Sequence, residues 1–302
     1  MERKGPFSLW EKVAEGRMRG MIEYVLLSPQ LTLRGLRGSI PRYERGAHAV
    51  FGGGMALEKS RAIVLRCYDL KETSRIVSFI TPDWGLLKCV AKGARRAKSG
   101  LAGVLMPFTY VELVFSAKRG RDLQTVTQAD ILAAFPHILE DLDRIAAAAH
   151  MAEVAGTLAQ PEEACEALFG NLLQGMNALD EGNVEPLMAV LAFDLLALGA
   201  SGFAPEFGCC TGCGAKDTGR NPRFSIVNGG VVCVRCTGEY DDELTAGDVA
   251  MICRILEGGF ASLSRLKATK QRLSVVLRII TAFARHCLER DLKTVSSLFK
   301  QV

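Results

Sequence analysis

Cys209-Cys210-Thr211-Gly212-Cys213-Gly214 and, further on, Asn228-Gly229-Gly230-Val231-Val232-Cys233-Val234-Arg235-Cys236 bracket the stretch from which the rest of the chain is placed. Two CxxC pairs, Cys210/Cys213 and Cys233/Cys236, stand nineteen residues apart. Each short turn presents two thiolates, and two such turns fill the tetrahedron that zinc prefers, leaving no position for water. The spacing therefore predicts one structural zinc ion on Cys210, Cys213, Cys233 and Cys236. The ion would hold together residues 208–240, which have too few large apolar residues to fold alone. Cys209 offers a CxxxC alternative to Cys210, and four unconnected thiols are the plain alternative to a metal site. Alternating apolar residues from Phe224 to Val232 around Asn228-Gly229-Gly230 give a hairpin signal that suits a zinc ribbon.

On either side of this module the apolar spacing is helical. Ile138, Leu139, Leu142, Ile145, Ala149 and Ala152 recur at three and four, Leu168 to Leu179 mark a second helix, and Pro186 opens a third running towards Gly199. After the module, Thr245 and Asp248 form a capping box ahead of Val249, Ile252, Cys253 and Leu256, and residues 273–288 form a last long helix. Arg278 and Arg285 lie seven apart, on one side of it. With Lys267, Lys270 and Arg272 they make a candidate second basic surface, or an ordinary solvated face.

Residues 55–135 read differently. Five runs at 62–67, 75–80, 86–91, 110–115 and 123–127 are rich in β-branched, aromatic and aliphatic residues. Thr81-Pro82-Asp83-Trp84-Gly85 is a tight turn joining the second and third runs. Five strands in so short a span predict a small barrel, with an OB-fold as the natural candidate. The fold class is thus α+β: an N-terminal five-stranded OB-fold at 55–135, then a helical domain at 136–207 and 241–302 with the zinc module at 208–240 embedded in it. After the third strand comes Lys92-Gly93-Ala94-Arg95-Arg96-Ala97-Lys98-Ser99, whose four cations and Ser99 suit phosphate oxygens without reading base identity. Tyr68, Trp84 and Phe108 are candidates for base stacking, with packing in a small core as the competing reading.

The charge is unevenly spread. Of 37 basic and 33 acidic residues in 302, residues 136–209 hold one basic and 12 acidic, so nucleic acid would be held by the flanks and repelled by the middle. Ten cysteines arranged around CxxC pairs, without a signal peptide, point to a reducing cytoplasm. No apolar run approaches the roughly 18 residues that span a bilayer. Residues 1–54 show no sustained period and are expected to be poorly ordered. Glycine codons begin with GG, so Gly52-Gly53-Gly54 before Met55 reads as a ribosome-binding site and Met55 as the natural start; the alternative is a basic arm that adds affinity for nucleic acid.

Three separated motifs agree on a family. Ala62-Ile63-Val64-Leu65, Glu72-Thr73-Ser74-Arg75-Ile76-Val77, Thr81-Pro82-Asp83-Trp84-Gly85-Leu86 and Ala91-Lys92-Gly93-Ala94-Arg95-Arg96-Ala97-Lys98-Ser99 resemble the N-terminal domain of the RecO family of bacterial recombination mediators. Cys210-Thr211-Gly212-Cys213-Gly214 with Phe224, Gly229-Gly230, Cys233 and Cys236 resembles its zinc-bearing form, and residues 288–298 its C-terminal segment. The resemblance covers residues 55–302. It implies binding of single- and double-stranded DNA, annealing of complementary strands, and union with RecR. It further implies help in loading RecA onto DNA coated by single-stranded-DNA-binding protein, near the nucleoid and without nucleotide hydrolysis. Lys92, Arg95, Arg96 and Lys98 are the DNA contacts carried over, with Arg75 beside them and Arg278 and Arg285 on the second surface.

No GxxxxGK[ST] loop is present, and His48, His137, His150 and His286 fall in no recognisable metal or nucleophile motif. A zinc hydrolase would need an open coordination position that four thiolates do not leave. A sequence-specific zinc-containing DNA-binding regulator would need a recognition helix, and no helix-turn-helix signature is found.

Overall fold

The computed structural model describes residues 56–299 except 71, 97, 98, 119 and 239–241, so the expectations for residues 1–54, for Met55 and for Lys98 lie outside the described residues. Five strands close a barrel in the order β1-β2-β3-β5-β4. They are β1 (Ala56–Leu70), β2 (Ser74–Thr81), β3 (Gly85–Ala91), β4 (Tyr110–Ala117) and β5 (Gln124–Ala133). A parallel seam, Cys89↔Gln124 and Val90↔Thr125, joins β3 to β5 and closes the barrel, and the whole is an OB-fold. Val64, Val77, Phe79, Cys89, Leu113 and Phe115 fill it. β1 is much longer than its apolar run because its first half pairs with β4 from Ala56↔Ala117 to Ile63↔Tyr110, a ladder made by backbone rather than by side-chain pattern. From Ile63↔Ile80 onward β1 pairs with β2, with a bulge at Leu65 between Val64 and Arg66.

The short helix α1 (Gly100–Val104), which the apolar spacing does not reveal, follows the basic loop. Ser99 is its N-cap, the hydroxyl accepting from Leu101 N at 3.3 Å.

The helical part consists of α2 (Leu142–Leu158), α3 (Glu166–Glu181), α4 (Pro186–Ala200), α5 (Ala246–Gly258), α6 (Lys270–Leu288) and α7 (Val295–Leu298). The periodicity from Ile138 onward is split. A 3-10 turn at Pro136–Glu140 comes first, and Asp141 stops it by taking an extended backbone and capping α2, accepting from Asp143 N and Arg144 N at 2.8 and 3.1 Å. α4 is apolar nearly all round and packs against α2, α3, α5 and α6, which makes it the central helix.

Two devices fix the barrel to the helices. At the β2–β3 turn, Leu86 N donates to Gln160 O at 3.1 Å, Glu162 N to Trp84 O at 3.0 Å and Cys165 N to Pro82 O at 2.8 Å. Gly85, at φ +59°, is required there, since a Cβ would lie 2.0 Å from Gln160 O.

The second device is a buried polar chain. Arg66 on β1 meets Glu153 on α2 at 3.3 Å. Glu153 Oε2 accepts from Thr294 N and Oγ1 at 2.8 and 2.6 Å. Thr294 Oγ1 also lies 3.1 Å from His150 Nδ1, and His150 Nε2 faces Asp194 on α4 at 3.0 Å. Burial pushes the Glu153 carboxyl up, but the Thr294 bonds and the Arg66 charge outweigh it and hold the group below the usual glutamate range.

Arg66→Ala leaves that carboxylate buried and short of a partner, and is expected to lower unfolding free energy by about 3 kcal/mol in urea titrations at pH 7. Because the folded-state value is depressed, Glu153 contributes its full stability above about pH 4.3, and the contribution fades as pH falls through the folded value. The acid-side loss of stability should be shallower in Glu153→Gln than in the unaltered chain.

Candidate nucleic-acid interface and metal centre

The sulfurs of Cys210, Cys213, Cys233 and Cys236 all lie within 4.8 Å of one another, and Cys209 is outside the group. Two local turns create this. Cys210 N donates to Ala215 O at 2.8 Å and Gly214 N to Cys210 O at 2.7 Å, while Cys236 N donates to Cys233 O at 2.9 Å. Gly212 is needed because a Cβ would meet Cys236 Cβ at 2.9 Å.

Between the turns, β6 (Arg223–Ser225) pairs with β7 (Gly230–Val232), and β8 (Asp242–Glu243) adds to the free side of β6. On the near side, Glu206 N donates to Gly229 O and Val231 N to Glu206 O, both at 2.9 Å, so the small sheet draws in residues on both sides of the cysteines. Phe224 carries the module onto the helices, stacking on Phe207 with centroids 5.5 Å apart and meeting Phe283 of α6 edge-on at 5.6 Å.

The donor set suits a soft divalent cation. Cys213 Sγ and Cys233 Sγ are 3.8 Å apart, close to the ~3.8 Å edge of a tetrahedron with metal–sulfur bonds of about 2.3 Å. Cys233 N donates to Cys210 Sγ at 3.2 Å and pulls that thiol down to about 6. The Arg235 N–H lowers Cys233, whereas Cys236, hydrogen-bonded among the sulfurs of Cys213 and Cys233, is pushed up to about 12. Four sulfurs so close resist ionising together, and a bound metal ion would remove the conflict. Elsewhere burial pushes Cys67, Cys89 and Cys165 up to about 12, which leaves them inert thiols.

The basic residues of the barrel gather where β1 ends, β2 begins and β3 ends. Asp69 organises two of them: Arg75 Nε reaches its Oδ1 at 3.2 Å and Arg95 its Oδ2 at 3.4 Å. The loop is fixed from behind by Arg95 N donating to Thr73 O at 3.1 Å, and Arg96 N to Gly93 O at 3.0 Å. Lys92 and Arg96 are exposed and, among the described residues, have no carboxylate within ion-pairing reach. Arg75, Lys92, Arg95 and Arg96 thus share one end of the barrel, and Ser99 spends its hydroxyl on the cap of α1.

Arg278 and Arg285 are both exposed on α6, with partners of their own. Arg278 lies over the Phe299 ring at 4.9 Å from its centroid, and Arg285 pairs with Asp291. Lys270 is held by Asp143 at 2.8 Å, and Arg272 by Asp248 inside the Thr245 capping box. Sequence spacing missed Lys118 and Arg121. Both lie exposed in the β4–β5 hairpin, and the signal available was their density in Lys118-Arg119-Gly120-Arg121.

Comparison with known proteins adds two kinds of likeness. Residues 55–135 match the family model Recombination protein O N terminal, and residues 139–296 match Recombination protein O C terminal. A DNA repair protein RecO of Anaeromyxobacter sp. (strain K) is 32% identical over 237 residues, covering 78% of this chain and 92% of the relative. The protein of the same name in Rubrobacter xylanophilus is 39% identical over 187 residues, 61% of this chain and 73% of its own length. That of Symbiobacterium thermophilum is 31% identical over 245 residues, 80% and 96%.

Metal binding and folding of the cysteine module are one equilibrium on this geometry. Cys213→Ser should lower bound metal, measured by mass spectrometry of the intact protein, and the melting temperature together; loss of metal with unchanged melting would contradict it.

Proposed function

The chain belongs to the RecO family of DNA repair proteins, and from that premise we propose that it acts as a recombination mediator. It binds single- and double-stranded DNA, anneals complementary strands and, with RecR, helps load RecA onto DNA coated by single-stranded-DNA-binding protein. The observation that carries this reading is the set of cations at one end of the OB barrel: Lys92 and Arg96 exposed and without an ion-pair partner among the described residues, Arg75 and Arg95 aimed by Asp69. Such a set neutralises phosphate while leaving base edges free to pair, which is what annealing requires.

Lys98 adds a fifth cation by sequence. The reaction needs no general acid, base or nucleotide, and the protein works without hydrolysis. Zinc is the proposed metal, held by Cys210, Cys213, Cys233 and Cys236 in a closed structural site. No described helix is long and apolar enough to cross a membrane, and the proposed place of work is the cytoplasm, at the nucleoid.

The acidic middle of the chain steers DNA away from α2, α3 and α4 and towards the barrel. Arg278 and Arg285 are the proposed second surface, where exposed guanidiniums beside Phe299 and Asp291 meet a second strand.

Replacing Lys92, Arg95, Arg96 and Lys98 together by Ala is expected to weaken binding to all sequences alike, and to reduce the slope of log affinity against log salt by up to about 3 to 4. An unchanged slope would move the DNA site elsewhere. Reversing Arg278 and Arg285 to Glu should impair annealing of complementary oligonucleotides more than single-strand binding. Annealing assays with and without single-stranded-DNA-binding protein test the mediator reading itself, which requires acceleration by the unaltered chain.

A further inference from the structure

The cysteine tetrad holds the most accessible sulfur of the chain. Of the ten cysteines, all of them among the described residues, Cys213 alone is exposed; Cys67, Cys89, Cys210 and Cys233 are buried and the other five half-buried. Cys213 lies between Gly212 and Gly214, and the space over Gly214 is open, since a Cβ there would meet nothing within 4 Å. A small reagent arriving from solvent therefore reaches Cys213 Sγ first. The thiols outside the module are poor targets. Burial raises Cys67, Cys89 and Cys165 to about 12 and pushes Cys253 and Cys287 up as well, which keeps them protonated and slow to react.

Cys233 Sγ lies 3.8 Å from Cys213 Sγ and belongs to the other turn, 20 positions further along the chain. Closing that gap to the ~2.05 Å of a disulfide asks for about 1.8 Å of sulfur movement. Cys210 is badly placed to compete: it is buried, and its Sγ is occupied by Cys233 N at 3.2 Å. The two turns that a metal ion would clamp are thus the same two that a bond between Cys213 and Cys233 would join. The β6–β7 hairpin lies inside the loop so closed.

We propose that the tetrad is an oxidation site as well as a metal site: hydrogen peroxide converts Cys213 and Cys233 into a disulfide across the two turns, and the metal ion leaves while the module stays closed. The inference rests on the metal reading above. The Cys213 thiolate attacks one peroxide oxygen; an S–O bond forms, the O–O bond breaks and hydroxide departs, leaving a sulfenic acid. The Cys233 thiolate then attacks the Cys213 sulfur; an S–S bond forms, the S–O bond breaks and a second hydroxide departs. The two thiolates lose two electrons, the peroxide gains them, and each hydroxide takes a proton from solvent. Cys210 and Cys236 remain, half of the soft ligands that a closed four-coordinate site requires. The disulfide restrains the unfolded chain between the same two turns, so Phe224 keeps its place against Phe207 and Phe283.

The test uses the full chain loaded with zinc and treated with hydrogen peroxide. Released zinc is read from the absorbance of 4-(2-pyridylazo)resorcinol, and cysteine linkage from peptide mass spectrometry without reduction. About one zinc ion per chain is expected to leave as the linkage between Cys213 and Cys233 forms, and dithiothreitol with added zinc should reverse both. The oxidised, zinc-free chain should melt at least about 5 °C above the chain stripped of zinc by a chelator under reducing conditions. Cys209→Ser and Cys287→Ser should give the same zinc release and the same linkage as the unaltered chain. Zinc retained with Cys213 unmodified, a linkage confined to one turn or made through Cys209, or an oxidised chain that melts no higher than the stripped one overturns the proposal. If the unaltered chain takes up no zinc at all, the metal reading fails; the mapped linkage and the melting temperatures of the oxidised and reduced chains then decide the oxidation site by themselves.

Discussion

Glu153 sits on α2 with 6% of its surface exposed, and several parts of the fold exist in the form they do to keep it charged. An ionised carboxylate removed from water is tolerated only when its oxygens are filled. Here one oxygen faces Arg66 from the barrel and the other takes both donors of Thr294 from the C-terminal segment. His150 and Asp194 extend the arrangement to the central helix. Barrel, bundle and chain end are thus tied by directional bonds in a place where apolar packing alone would allow them to slide. The barrel thereby gains a fixed orientation relative to everything else the chain presents.

Where signals are local, the sequence is a sufficient guide. The cysteine tetrad follows from two short turns and one hairpin, the capping box from Thr245 and Asp248 three residues apart, and the barrel from alternating runs. Where signals are long-range or compete, it is not. Thr294 and Glu153 are 141 positions apart, and no spacing rule links them. The apolar pattern across Asp141 is continuous, so only the cap's own hydrogen bonds reveal that the helix restarts there. Ser99 reads equally well as a phosphate ligand or as a helix cap, and the geometry of Leu101 makes it the cap. Tyr68, Trp84 and Phe108 are indistinguishable by composition, and only packing separates them: Trp84 meets the Phe115 ring edge-on at 5.5 Å, Phe108 is 5% exposed, and Tyr68 belongs to neither core.

The candidate site shows the same division. A cluster of cations is legible as a cluster, but not which of its members are free. Asp69 lies well before the basic loop and pairs with both Arg75 and Arg95, so one acidic residue inside the cluster fixes the direction of two guanidiniums. On α6 the opposite holds: every basic residue highlighted by spacing and resolved into a contact has a partner within the fold. Counting charges along a segment therefore overstates the unpaired charge on α6 and understates the β4–β5 hairpin, where the Gln124 side chain accepts from Lys118 N and donates to Lys118 O and Arg121 O.

The bulge in β1 has a consequence for how this barrel can change over time. Leu65 is the supernumerary residue: Val64 faces Phe79 and Arg66 faces Ser78, with nothing opposite Leu65. Deleting it would restore an unbroken ladder and preserve the inward and outward parity of every residue after it. The sheet by itself has room for that shortening. Leu65 is instead 2% exposed in the helical core, where a Cβ on Gly156 would already lie 3.2 Å from its Cδ1. The position that the sheet finds dispensable is one that packs fully against the neighbouring helix, so the length of β1 is set by the bundle and not by the barrel that contains it.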